Sequence, residues 1–207
     1  MRTIQLATLI FVFSACVWAQ NRMPAVPPEK QTPDQKKAFE MVTKTRGPAG
    51  ASGPFIPLLR SPEFMNRIQA VGEYLRFHNS LPQKLVEMTI LMTSRYLTQQ
   101  YEWDSHYPLA MKAGLKPEHA AAIAAGRHPE GLSEDEDMMY NYVTEVLQHK
   151  SVSDATYGRM VAKYGEQGAI DGAGTVGYYI TIGSVLNVAR TPSDVGAGIP
   201  QLPRLPN

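Results

Sequence analysis

The sequence predicts an all-α, single-domain helical bundle, and three observations carry that expectation. Helix-start signals recur along the chain, apolar residues between them fall at helical spacing, and no run of period-two alternation bounded by hairpin turns is present. The size fits one domain: 207 residues, 43% of them hydrophobic, supply one buried core but not two large ones.

The chain is read from its N-terminus. Met1–Arg2 carries one positive charge, Ile4 to Phe13 is mostly apolar, and Val17-Trp18-Ala19 leaves small residues where a signal peptidase reads, so residues 1–19 are expected to be a secretory signal. The apolar stretch is too short to span a bilayer, which needs about 20 residues, and no membrane span is expected. Phe13-Ser14-Ala15-Cys16 offers a rival cleavage that would leave a lipoprotein anchored through Cys16. Cys16 is the single cysteine, so removal of residues 1–19 leaves an exported protein unable to form any disulfide.

Residues 20–31 are polar and proline-rich and, like the Pro/Gly tail 191–207, are expected to be extended or mobile. Between them lies the domain, residues 32–190. Thr32-Pro33-Asp34-Gln35 combines an N-cap, a first-turn proline and a capping-box Gln, and opens an N-terminal helix. Residues 46–57 read as a Gly/Pro loop. Ser61-Pro62-Glu63 starts the next helix, with Phe64, Ile68, Val71 and Leu75 expected as its buried stripe. Ser80-Leu81-Pro82 opens a helix so apolar on nearly every side that it should be central, with Glu87 in its middle. Further starts fall at Lys116-Pro117 and at the capping box Ser133 to Glu136. Two last helices fit 154–164, ended by Gly165, and about 169–189.

Charge excludes one class of function. Twenty basic against 19 acidic residues give +1 with no basic block, so no phosphate-tracking nucleic-acid surface is expected. One cysteine also excludes a Cys-rich zinc or iron–sulfur site.

The richest stretch runs from Glu87 to Gly114. Glu102 and His106 are four apart, on one helix face. Glu87 lies about four turns earlier, within ~60° of Glu102 on a continuous helix, unless a bend near Thr98–Gln100 folds one onto the other. Two carboxylates and an imidazole among apolar residues make a plausible acid–base site, because burial lets a carboxyl group hold a proton near neutral pH. The plainer alternatives are a surface Glu102–His106 pair and a Glu87 bonded to Lys84 or Arg95. Arg95 is the nearest candidate to bind a substrate carboxylate, and Tyr101 and Trp103 are candidates to line a pocket. No metal is expected, since the third ligand has no defined spacing. His78, His119, His128 and His149 fall at helix ends or in loops, where solvated or capping roles are expected. Gly172-Ala173-Gly174-Thr175-Val176-Gly177 matches G-x-G-x-x-G without the required strand–turn–helix context and is assigned to close helix packing.

Leu85–Leu115 resembles the core motif of the carboxymuconolactone decarboxylase and alkylhydroperoxidase D-like family, a Glu on one helix followed by C-x-x-C-x-x-x-H-x-x-x-A-x-x-A-G. His106, Ala110, Ala113 and Gly114 match its second half, Glu87 stands at the family's glutamate, and Gln99 and Glu102 occupy the two cysteine positions. Gly53–Pro62 and Tyr164 to Asn187 are also similar to members lacking the cysteines. The resemblance implies a helical fold and a homo-trimer or hexamer with the site near a subunit interface. It implies an acid–base lyase or isomerase without a cofactor, acting on a small carboxylated lactone or enolisable acid through Glu87, Glu102 and His106. Thiol peroxidase chemistry needs a thiolate and a resolving thiol, which the mature chain lacks. A non-catalytic oligomer binding a small ligand or a protein is the alternative.

Overall fold

The structure is a computed structural model and describes residues 21–47, 50–193, 196 and 198–203. The proposed signal segment 1–19, with Cys16, lies outside the described residues. Eight helices follow a 3-10 turn at Pro28–Lys30: α1 (Pro33–Arg46), α2 (Phe55–Leu58), α3 (Pro62–Phe77), α4 (Gln83–Tyr96), α5 (Gln100–Lys112), α6 (Pro117–Ala124), α7 (Glu134–His149) and α8 (Asp154–Ala189). No strand occurs among the described residues, and no helix there is long and apolar enough to cross a membrane.

Helix α4 is the axis of the molecule, packed against α5, α6, α7 and α8. Leu85 through Ser94, a run that faces every direction around a helix, is buried throughout. The polar members of that run are satisfied within the helix, Thr89, Thr93 and Ser94 each donating to the carbonyl four residues earlier at 2.8 Å. The chain's own helices therefore cover α4 on all sides.

Local signals account for several boundaries. Both capping boxes form, at Thr32–Gln35 and Ser133–Glu136. Ser61 and Ser80 do not cap with their side chains; Ser80 instead donates through N and Oγ to buried Asp171 (2.9 and 2.7 Å), joining the α3–α4 link to α8. Gly165 breaks α8 in the left-handed region (φ 69°), and the helix resumes at once rather than after a linker. The loop 46–57 contains the short helix α2, whose Phe55, Pro57 and Leu58 are buried.

Four expectations are corrected. On α3 the buried face is Met65, Gln69, Gly72 and Leu75, while Phe64 and Val71 are 41% and 47% exposed. The reason is Gly72: a Cβ there would lie 2.1 Å from the Tyr178 hydroxyl, so α3 turns its glycine to α8 and its larger apolar residues outward. Of the three G-x-G-x-x-G glycines only Gly172 is buried in helix packing; Gly174 and Gly177 are exposed. His119 is buried rather than solvated, its Nδ1 3.9 Å from Glu136, which also pairs with Lys84. Described residues near both ends are tied to the bundle rather than mobile: Arg22 N donates to Ala189 O at 2.8 Å, and Leu202 is buried with its N bonded to Gln100 Oε1 at 2.9 Å.

Candidate active site

The corner between α4 and α5 creates the site. Thr98 takes a left-handed φ of 51°, and Gln99 caps α5 by accepting from Tyr101 N at 2.7 Å while its amide donates to Asn187 Oδ1 at 2.7 Å. The chain turns back on itself, so Glu87 of α4 and Glu102 of α5 meet across a helix pair rather than along one continuous helix. Gln99 and Glu102 thus have separate jobs here: one pins the corner to α8, the other faces the site.

His106 lies at the centre. Its Nδ1 is 2.7 Å from Glu87 Oε2, its Nε2 is 3.2 Å from the Tyr179 hydroxyl, and Glu102 Oε2 is 3.6 Å from the same Nε2. Glu87, Glu102 and His106 are 2%, 5% and 4% exposed. Gln83 Nε2 donates to the other Glu87 oxygen at 2.8 Å, so both oxygens of that carboxylate are engaged. The tautomer that satisfies these contacts carries its proton on Nδ1, donated to Glu87, and leaves Nε2 as the acceptor. The four-residue pair Glu102–His106 is longer than a hydrogen bond; the short contact is to Glu87, nineteen residues away in sequence.

A cavity of about 460 Å³ opens over this cluster. Glu102, His106 and Tyr179 reach its wall, and Arg46, Arg76 and Tyr101 complete it. Neither arginine forms an ion pair among the described residues, and Arg46 Nη2 is buried without a hydrogen-bond partner. Phe55 lies under the Arg46 guanidinium at 4.9 Å from the ring centroid, fixing it by a cation–π contact. Two guanidiniums beside a buried cluster suit an anionic ligand.

Burial raises the Glu102 carboxyl above the usual carboxylate range, against the opposing pull of His106 and Arg76. Burial likewise raises Tyr178 and drives Tyr179 well above the ordinary phenol range. Between the ordinary carboxyl range and the raised folded value, the native state binds more protons at Glu102 than the unfolded chain. Stability therefore falls as pH rises through that window. Glu102→Gln is expected to remove this penalty and to raise Tm at pH 8 above that of the wild type. At pH 4 the variant and the wild type should melt together. Equal melting temperatures at pH 8 would show that the Glu102 carboxyl is not raised in the folded protein.

Two sequence-nominated residues lie elsewhere. Arg95 faces α6 instead, its Nε donating to Ala124 O at 2.8 Å at the end of that helix, beside a separate cavity of about 190 Å³. Eight positions after Glu87, it is rotated about 80° around the helix and displaced by about 12 Å along it. Trp103 is 0% exposed and belongs to the core, its ring 6.2 Å from Tyr107. Tyr101 does reach the cavity, with Gly53 (φ 55°) giving its hydroxyl room, since a Cβ there would lie 2.5 Å away. Arg46, Arg76, Tyr178 and Tyr179 were not singled out from the sequence. A doubled tyrosine within the small-residue, Gly-rich stretch of α8 was the one visible signal. Among the described residues no group of His, Cys, Asp and Glu is arranged to hold a metal ion.

Fold and site define a class: a small all-α protein whose central antiparallel helix pair buries a Glu–His–Glu cluster against a ligand-sized cavity. Residues 62–137 match the model of the Carboxymuconolactone decarboxylase family, so the chain is carboxymuconolactone decarboxylase-like over α3 to the start of α7. That segment holds Arg76, Glu87, Glu102 and His106, whereas Arg46, Tyr178 and Tyr179 come from outside it. No curated protein matches the chain.

Proposed function

We propose that this carboxymuconolactone decarboxylase-like protein is a lyase or isomerase that works by acid–base chemistry with its own side chains on a small carboxylated lactone or enolisable acid. The observation that carries the reading is His106, held by Glu87 at one nitrogen and turned toward Tyr179, Glu102 and the cavity they line at the other. In the proposed step a proton leaves a carbon next to a carbonyl and ends on His106 Nε2. The carbonyl oxygen takes the proton of Glu102 as the enol forms, and reversal at another carbon, or after loss of a carboxyl group, gives product. The imidazolium formed is paired at once with the Glu87 carboxylate. Arg46 and Arg76 replace Arg95 as the carboxylate-binding groups.

The test is incubation of the purified protein with a metabolite pool rich in small carboxylic acids, read by mass spectrometry. Conversion by the wild type and none by His106→Gln supports the reading. For the compound converted, Arg46→Gln and Arg76→Gln are each expected to raise KM by roughly 10-fold or more, while Arg95→Gln leaves it unchanged. Retention of a compound without conversion would instead make the protein a small-ligand binding module.

Export and assembly belong to the same proposal. Cleavage after Ala19 would start the secreted protein at Gln20, and lipidation at Cys16 is the alternative that intact mass distinguishes. A homo-trimer or hexamer is supported by the outward stripe Phe64, Val71, Tyr74 and Phe77 on α3, the last 64% exposed, and light scattering reads it directly.

A further inference from the structure

We propose that the Tyr179 hydroxyl is the substrate-facing end of a proton relay running from Glu87 through His106, so that His106 acts on substrate through tyrosine rather than directly. This rests on the acid–base reading of the cavity and names the group that delivers it. Three observations converge. His106 Nδ1 is occupied by Glu87 at 2.7 Å, and its one remaining nitrogen is already met by Tyr179 at 3.2 Å. The Tyr179 ring stands edge-on to the imidazole, centroids 5.1 Å apart at 86°, so ring packing holds its hydroxyl beside Nε2. Tyr179 also lines the cavity, so the same oxygen borders both His106 and the space a substrate would fill.

The ring cannot drift from this position. Tyr178 packs on it at 82°, centroids 5.1 Å apart, and is itself seated against Gly72, where any side chain would collide with its hydroxyl. The charged and titratable groups around the relay are Glu87 from α4, Glu102 from α5, Arg76 from α3 and Tyr178 from α8 itself. Burial keeps Tyr179 in its neutral form, so it enters the step with a proton to pass on.

The step balances. The substrate C–H bond breaks and its proton bonds to Tyr179 oxygen, while the original hydroxyl proton bonds to His106 Nε2 and the electron pair moves into the substrate carbonyl. No charge accumulates on the phenol, and the positive charge ends on an imidazolium beside Glu87. Tyr179 is supplied by α8, outside the family-matched stretch.

The test uses Tyr179→Phe, which keeps the ring and its volume, with Tyr178→Phe as control. In the ligand-free protein, nitrogen-15 NMR of the His106 side chain should show the Nε2 resonance shifted in Tyr179→Phe, the Nδ1 resonance in place, and both unmoved in Tyr178→Phe. An unmoved Nε2 in folded Tyr179→Phe overturns the relay. The second measurement is deuterium uptake from heavy water into levulinate, a small enolisable keto acid. Exchange by the wild type that drops roughly 10²-fold in Tyr179→Phe supports the relay. Equal exchange in the two proteins overturns it even if the resonance shifts, because the tyrosine would then only position the histidine. Wild-type exchange no faster than buffer overturns the acid–base reading itself, and the relay with it, a result distinct from the other two.

Discussion

Replacing His106 with Gln is expected to slow turnover of the converted compound by roughly 10²–10⁴-fold, because the variant has no group at that position able to take and return a proton near neutral pH. Glu102→Gln should fall in the same range, since an amide cannot give up the proton that the proposed step takes from Glu102. The double variant should cost little more than either single one, as groups acting in one step are non-additive. Glu87→Gln has a different expected signature. Its amide oxygen can still accept from Nδ1, so the ring stays oriented, but the charge that stabilises the imidazolium is lost, and turnover should drop while KM stays near the wild-type value. Unaltered turnover in folded His106→Gln removes the mechanism, whatever the others do.

The largest stability effect is expected at Trp103. Its side chain is 0% exposed among the α5 contacts, and truncation to Ala should cost about 3–5 kcal/mol, lowering Tm by roughly 10 °C. Trp103→Phe should be much milder, because Nε1 has no hydrogen-bond partner to lose. KM of the folded fraction should stay at the wild-type value in both. A raised KM with unchanged Tm would put Trp103 in the pocket wall.

Trp103 and Tyr101 show how much of the site was legible. Both flank Glu102, yet only one reaches the cavity, since a step of two residues turns a helix by about 200°. Which face looks inward depends on what packs there. Arg95 illustrates the same limit: it shares a helix with Glu87 but is drawn to the carbonyl end of α6. Family likeness named Glu87, Glu102 and His106, which the structure brings into one cluster; the four-residue spacing paired His106 with Glu102, whereas the 2.7 Å contact is made by Glu87.

Fold class, the capping boxes at Thr32 and Ser133, the central burial of α4 and the break at Gly165 were all readable from the chain. Each rests on interactions within a few residues, so periodicity and local hydrogen-bonding chemistry suffice to define it. The outward turn of Phe64 and Val71, the burial of His119, the cavity and its arginines were decided only by tertiary structure. His106 meets Tyr179 across 73 positions of sequence, and Arg46 arrives from a helix before the matched stretch. Such contacts depend on how helices rotate and approach one another, which is set by the fit of whole surfaces, with Gly72 yielding to Tyr178, rather than by the spacing of residues along any one of them.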